Sequence, residues 1–233
     1  SKYLLFYFDK DMVMLVHLGM TGKFFFVDPK KTKHKTCFYY NIKEDKDKKH
    51  DRVIFDLSNK QKLIYNDIRK FGFIKFIKLN NLDRNAHLKY LGPEPLSGKF
   101  NFRYFKNYIT GKERTIKDIL MDQKFISGLG NIYVNEILFF SGVKPTKTIK
   151  ILSNYEIQKI IKFTKKIILQ AIKLGGSSIK DFSSSSGKKG SFQQHFSVYG
   201  KKNEKCTNKN CNNVITKIVI SNRASFYCSK CQK

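Results

Sequence analysis

The sequence predicts an α+β protein: an N-terminal β-sandwich, a helical region and a C-terminal β-ribbon stapled by a metal. Three observations predict it. Residues 1–82 hold a series of short β-prone runs, apolar residues recur at helical spacing from about residue 100, and the last sixth holds four cysteines in two close pairs. The implied organisation is a sandwich over 1–82, a linker over 83–98, a helical domain over 99–195 and the ribbon over 196–233.

The β-prone runs are "YLLFYF", "MVMLVHLG", "KFFFV", "TCFYYNI", "RVIFDL", "KLIYND" and "FGFIKFI", separated by charged or glycine turns. Several alternate: Val53, Phe55 and Leu57 stand against Ile54, Asp56 and Ser58. Side chains on successive strand residues point to opposite faces, so alternation predicts one buried face and a sheet-on-sheet core. The charge run "KEDKDKKHD" reads as a solvated hairpin loop. A linker rich in proline and glycine, "LGPEPLSGKF", closes the β region.

Helices are predicted at "FRYFKNYIT", "TIKDILMDQ" and "NIYVNEILFFSG". A long one follows over "SNYEIQKIIKFTKKIILQAIKLGG", opened by Ser153 as N-cap with Glu156 three residues on, and closed by Gly175 and Gly176. After a serine-rich loop, "HFSVYG" reads as a strand leading into the ribbon.

The cysteines are Cys206 and Cys211, with four residues between them, then Cys228 and Cys231, with two between them, and sixteen residues separate the pairs. That spacing suits one tetrahedral structural zinc. The intervening "VITKIVI" and "ASFYC" form two short strands, too small to bury a core of their own, so the metal supplies folding energy. Two disulfides in a secreted module are the other reading. The odd fifth thiol, Cys37, favours a reducing compartment and hence zinc. Cys37 itself reads as a small core or strand residue.

Forty-six Lys and Arg against eighteen Asp and Glu give a formal net charge of +28. Such an excess attracts polyphosphate and speeds encounter with it, although the abundance of Lys, Asn, Ile and Phe suggests that codon bias supplies part of it. No apolar run approaches the length of a membrane span. The turn "GLGN", with Gly128 and Gly130 before a helix starting at Asn131, offers free backbone N–H groups to an anion at a helix N-terminus. Glycine there for packing alone is the competing reading. The chain opens at Ser1 directly into an apolar strand, from which a truncated N-terminus is expected.

Taken in order, "KYLL", "HLGMTG", "NDIRKFG", "LGPEPL", "IKDILMDQKFISGLGNIYVNEILF", "GKKGSF", "VYG" and "RASFYCSKCQK" resemble the formamidopyrimidine-DNA glycosylase family over essentially the whole chain. The resemblance implies a β-sandwich domain (incomplete here), a helix–two-turn–helix domain and a zinc finger, with DNA between the domains. It implies excision of oxidised purines (8-oxoguanine, formamidopyrimidines) with abasic-site lyase activity, and one structural zinc on Cys206, Cys211, Cys228 and Cys231. Met20, Arg69 and Phe71 match the side chains that fill the gap left by the everted base; core packing is the plainer alternative for Met20 and Phe71. Lys2, His50, Lys117, Asn131 and Arg223 match phosphate contacts. Residues 183–192, including Gly187, Lys188, Gly190 and Phe192, match the loop that closes on the lesion, with Lys189 and Ser191 departing from the proline and aromatic common there.

The family's nucleophile is an N-terminal proline followed by glutamates, about fifty residues before "KYLL". None of these is in this sequence, so no catalytic residue is assigned. Lys2, or the α-amine of Ser1, is a possible auxiliary amine at an abasic site. The expected partner is duplex DNA carrying oxidised bases or abasic sites, bound by a monomer in the bacterial cytoplasm, at the nucleoid. A non-catalytic damaged-DNA-binding module and a zinc-ribbon RNA-binding protein are the rival readings.

Overall fold

The computed structural model describes residues 1–28, 31–34, 45–177 and 191–233. The expected strand "TCFYYNI" with Cys37, and the loop residues Gly187, Lys188 and Gly190, lie outside the described residues. Two compact units emerge. One comprises 2–85 with 174–193; the other comprises Ser1, 86–173 and 194–233.

The first unit is a pair of antiparallel sheets. Strands β1 (Tyr3–Phe8), β2 (Met12–His17) and β7 (Phe73–Lys78) form one, in the order β1-β2-β7. Strands β3 (Lys23–Asp28), β4 (Lys31–His34), β5 (Asp51–Asp56) and β6 (Lys62–Asn66) form the other, in the order β4-β3-β6-β5. Their facing side chains make one core of Met14, Val16, Phe24 and Tyr65, flanked by Leu4, Phe6, Val53, Phe55 and Ile74. Central β2 is buried on both faces from Val13 to Val16, which explains its unbroken apolar run. The alternation in β5 sorts as expected: Val53 and Phe55 turn inward while Ile54 is exposed.

One expectation changes here, and one strand was not foreseen. The charge run enters β5 through a short 3₁₀ turn, Asp45–His50, rather than an open hairpin loop. The lysine-rich strand β4 has too little apolar content to announce itself; it is recruited by pairing with β3.

The second unit is built on α1 (Phe102–Ile109), α2 (Ile116–Met121), α3 (Asn131–Ser141) and α4 (Asn154–Lys173). Phe100 and Phe105 meet Phe125 edge to face, at centroid distances of 6.0 Å and 4.9 Å, and the Ile119, Leu120, Ile137 and Ile160 side chains are fully buried. The capping box at α4 forms as predicted, with Glu156 N–H donating to Ser153 Oγ and Ser153 N–H to the Glu156 carboxylate.

The ribbon strands β8 (Ile215–Ile220) and β9 (Arg223–Cys228) pair antiparallel in this same unit. Their two-residue turn, Ser221–Asn222, has φ of 46° and 58°, the doubly left-handed geometry that matches strand twist. The expected strand "HFSVYG" does not form. Phe192–His195 is a 3₁₀ turn, and the N–H groups of Ser197, Val198 and Tyr199 all donate to the Glu136 carboxylate, at 2.8, 3.0 and 2.8 Å. A buried acid thus takes the donors that a sheet would have used.

Candidate functional site

In the β unit, the turn between β2 and β3 carries Met20 and the turn between β6 and β7 carries Arg69 and Phe71. Leu18 accepts from Gly22 N–H at 2.8 Å, closing the first turn. Gly19 sits at φ +64°, and a Cβ there would lie 2.7 Å from the backbone of Phe71 and Gly72. The two turns therefore meet backbone to backbone. Their outward side chains form a cluster: Arg69 Nη1 is 3.2 Å from Met20 Sδ, and the Arg69 guanidinium lies 4.5 Å from the Phe71 ring centroid. Met20 and Phe71 are 54% and 57% exposed, so they are not core residues.

Beneath this cluster lies Asp67, which is 1% exposed. Its Oδ1 accepts from Thr21 Oγ1 at 2.5 Å and from Arg69 N–H at 3.2 Å; its Oδ2 accepts from Gly72 N–H at 2.9 Å and Tyr65 Oη at 3.1 Å. Burial alone would raise the carboxyl pKa, but the four donors outweigh it and hold the group below the usual carboxylate range. Burial and the Asp67 charge push the Tyr65 phenol well above its ordinary value. Sequence reasoning missed Asp67, although "ND" before "IRKFG" is the type of short acid that organises a turn. His50 ends the 3₁₀ turn just before β5: its carbonyl accepts from Asp67 N–H at 3.0 Å, and its Nδ1 is 3.3 Å from Arg52 Nη2. Lys2 is exposed just before β1.

In the helical unit, α2 and α3 are joined by two tight turns. Phe125 and Ile126 N–H donate to Asp122 O, while Gln123 holds the second turn by accepting from Gly128 N–H at 2.8 Å and donating to Leu129 O at 3.0 Å. Gly128, at φ +87°, needs the left-handed region that glycine tolerates. Gly130 does not; it is extended at φ −127° and serves as N-cap of α3 with no side-chain cap.

The strand β9 docks on these helices through polar side chains. Lys117 Nζ donates to Ala224 O at 2.9 Å and lies 2.5 Å from Ser225 Oγ; Asn131 Nδ2 donates to the same Ala224 carbonyl at 3.0 Å. Phe226 N–H donates to Asn135 Oδ1 at 2.6 Å. Lys117 is buried, and burial together with the Arg223 charge lowers its pKa to about 8. Arg223 is exposed at the start of β9, and with Arg114, Lys117, Asp118 and Ser221 it lines a shallow cavity. The structure thus brings Lys117, Asn131 and Arg223 together around Ala224. Phe192, matched by the resemblance to the end of the loop that closes on the lesion, is 3% exposed and fixed by a bond from its N–H to Gly176 O at 3.1 Å. Its apolar ring is placed in the core, where it recovers the most hydrophobic stabilisation.

The four ribbon cysteines converge. Their sulfurs all lie within 4.8 Å of one another, with Cys206–Cys231 at 3.8 Å and Cys211–Cys228 at 3.7 Å, and none is in a disulfide. A tetrahedron with metal–sulfur bonds of about 2.3 Å has sulfur–sulfur edges of about 3.8 Å, so the donor set fits a metal ion. Burial raises the Cys206 thiol to about 12, whereas at Cys228 the N–H groups of Cys231 and Lys230 overcome burial and lower the thiol to about 7.

Two family models match the chain. The formamidopyrimidine-DNA glycosylase N-terminal domain matches residues 1–74 and the formamidopyrimidine-DNA glycosylase H2TH domain matches residues 91–183. The formamidopyrimidine-DNA glycosylase of Rickettsia felis is 39% identical over 232 residues, spanning 100% of this chain and 78% of its own length. That of a Bradyrhizobium species is 35% identical over 239 residues, spanning 100% and 81%. Among solved structures, Lactococcus lactis Fpg in complex with abasic-site DNA superposes with a TM-score of 0.83 at 32% identity, covering 100% of this chain and 79% of that one. MutM in complex with DNA containing carbocyclic 8-oxo-G gives a TM-score of 0.82, also at 32% identity, with the same coverage. The chain belongs to the formamidopyrimidine-DNA glycosylase family. Among the described residues, no helix is long and apolar enough to cross a membrane.

Proposed function

We propose that this protein is a DNA glycosylase of base-excision repair, acting on oxidised purines in duplex DNA, with abasic-site lyase activity. The observation that carries the reading is the exposed cluster of Met20, Arg69 and Phe71 on two locked turns. A thioether, a guanidinium and a flat ring held together above a rigid base suit insertion into a base stack. Met20 and Phe71 replace the stacking lost when the damaged base leaves the helix, and Arg69 donates hydrogen bonds to the orphaned partner base.

The phosphate grip is assigned to Lys2, His50, Lys117, Asn131 and Arg223. Arg223 makes the direct charge contact, and Lys117 and Asn131 form the floor of the same site by holding Ala224. Gly187, Lys188 and Gly190 belong to the loop that closes on the lesion, with buried Phe192 fixing its end. The chemical step is assigned to no residue of this chain; Lys2 is at most an auxiliary amine. One zinc ion on Cys206, Cys211, Cys228 and Cys231 fits the sulfur tetrahedron and supplies ribbon folding energy, which in turn fixes Arg223. The protein acts as a monomer in the bacterial cytoplasm, at the nucleoid.

The test is competition binding among duplexes carrying an abasic-site analogue, 8-oxoguanine or no lesion, with single-stranded DNA and RNA as controls, followed by an excision assay on the 8-oxoguanine duplex with and without the family's N-terminal proline and glutamates joined to the chain. The reading expects clear preference for the lesion duplexes. Equal affinity for intact duplex, or preference for RNA, overturns it.

A further inference from the structure

We propose that Asp67 is a positioning residue that couples the turn bearing Met20 to the turn bearing Arg69 and Phe71, so that the three side chains enter the duplex as one body. The inference rests on the wedge reading above and adds the group that makes the wedge a unit.

A carboxylate has two oxygens with about four acceptor sites, and all four are used here. Thr21, next to Met20, donates its hydroxyl; Arg69 and Gly72, on either side of Phe71, donate backbone N–H groups; Tyr65 donates from β6. Thr21 makes two bonds to the other turn, because its Oγ1 also accepts from Arg69 N–H at 3.0 Å. The Asp67 backbone is itself held at the entry to β5, by the His50 carbonyl and by Arg52 Nε donating to Asp67 O at 2.9 Å. Close approach also requires glycine here: a Cβ on Gly72 would lie 1.9 Å from the Tyr65 hydroxyl, and one on Gly22 would lie 2.2 Å from Leu18 O.

This arrangement bears on binding, and not only on folding. Inserting long side chains into a base stack costs their freedom, and a pre-set geometry lowers that cost. An amide cannot replace the acid. All four partners donate, and the two backbone N–H groups cannot turn around, so Asp67→Asn would set an NH₂ group against one of them.

The decisive variants are Thr21→Val, which removes the bond to Asp67 and the acceptor for Arg69 N–H while Asp67 keeps three donors, Thr21→Ser, which restores the hydroxyl, and Asp67→Asn. They are read beside Met20→Ala and Phe71→Ala. Three quantities are measured: the preference for an abasic-analogue duplex over intact duplex, the fluorescence of a 2-aminopurine opposite the abasic analogue, and the salt dependence of binding. Thr21→Val should lower the lesion preference about tenfold, the scale of one lost polar contact. It should also shift the 2-aminopurine signal as Met20→Ala does, leave the salt slope unchanged, and make added Met20→Ala nearly silent. Thr21→Ser should behave as wild type. Thr21→Val decides the matter even where Asp67→Asn fails to fold. Should Met20→Ala and Phe71→Ala abolish the preference while folded Thr21→Val retains it, the coupling is wrong and the wedge stands. Should the two alanine variants leave preference and fluorescence untouched, the wedge reading fails and the coupling falls with it.

Discussion

The ammonium of Lys117, only 1% exposed, donates to the carbonyl oxygen of Ala224 across 2.9 Å and has no carboxylate within salt-bridge distance among the described residues. Burial, then the charge of Arg223, lowers its pKa to about 8, with Asp118 opposing in part. An unfolded lysine titrates near about 10.4. Between these values the unfolded chain binds the extra proton, so stability contributed by this site rises as pH increases through about 8 and levels off above about 10.4. Wild type should therefore gain up to about 3 kcal/mol relative to Lys117→Met between about pH 7 and about pH 10. Urea unfolding across that range checks this. Parallel curves for the two proteins would show that Lys117 keeps its ordinary pKa.

Arg223 stands at the start of β9, exposed, beside this buried lysine. Arg223→Ala should weaken duplex binding and reduce the slope of log affinity against log salt by about one. The same change should raise the Lys117 pKa, because a repelling charge is gone. Binding titrations at several salt concentrations read the first effect, and an unchanged slope removes Arg223 from the phosphate contacts.

Removal of one sulfur should empty the metal site. Cys228 is fully buried in the ribbon core with Cys206, Cys211, Ile215 and Phe226. Cys228→Ser should abolish metal binding by the cluster and unfold the ribbon, because a unit this small would draw its folding energy from a bound metal. Elemental analysis of the purified variant measures it; one equivalent of retained metal contradicts the four-thiolate site. A strong chelator should produce the same loss of structure in the unaltered protein.

Glu136 holds residues 197–199 to α3 through three backbone N–H groups. Burial raises its pKa despite those donors and the nearby Lys201 charge. In Glu136→Gln the remaining oxygen can serve Val198 and Tyr199, but the new amide NH₂ faces the Ser197 N–H. The expected loss is about 1–3 kcal/mol, the cost of one unsatisfied buried donor. Equilibrium unfolding reads it directly, and a loss below about 0.5 kcal/mol would show that the segment finds other partners.

Much of the architecture was legible because its signals are local. Strand runs such as "MVMLVH", the Ser153–Glu156 capping box, the helix periods and the cysteine spacing each declare themselves within a few residues. The family resemblance also picked out Met20, Arg69 and Phe71, the residues that the fold brings into one cluster. Other features were hidden because their partners are distant. Asp67 reaches Thr21 across 46 positions, Lys117 reaches Ala224 across 107, and Glu136 captures Ser197 across 61. "HFSVYG" has the composition of a strand, yet a buried acid on α3 claims its donors. Of the two glycines in "GLGN" only Gly128 takes a positive φ, while Gly130 is extended, a difference that the sequence does not announce.

The sequence by itself determined most of the helices and the apolar strands, where the converging cysteines lie and which family the residues resemble. Hydrophobic period, capping and ligand spacing are written over a few neighbouring positions. Only the tertiary structure decided which polar groups are buried and what each of them holds, because a hydrogen bond across the fold requires the chain first to bring donor and acceptor within about 3 Å.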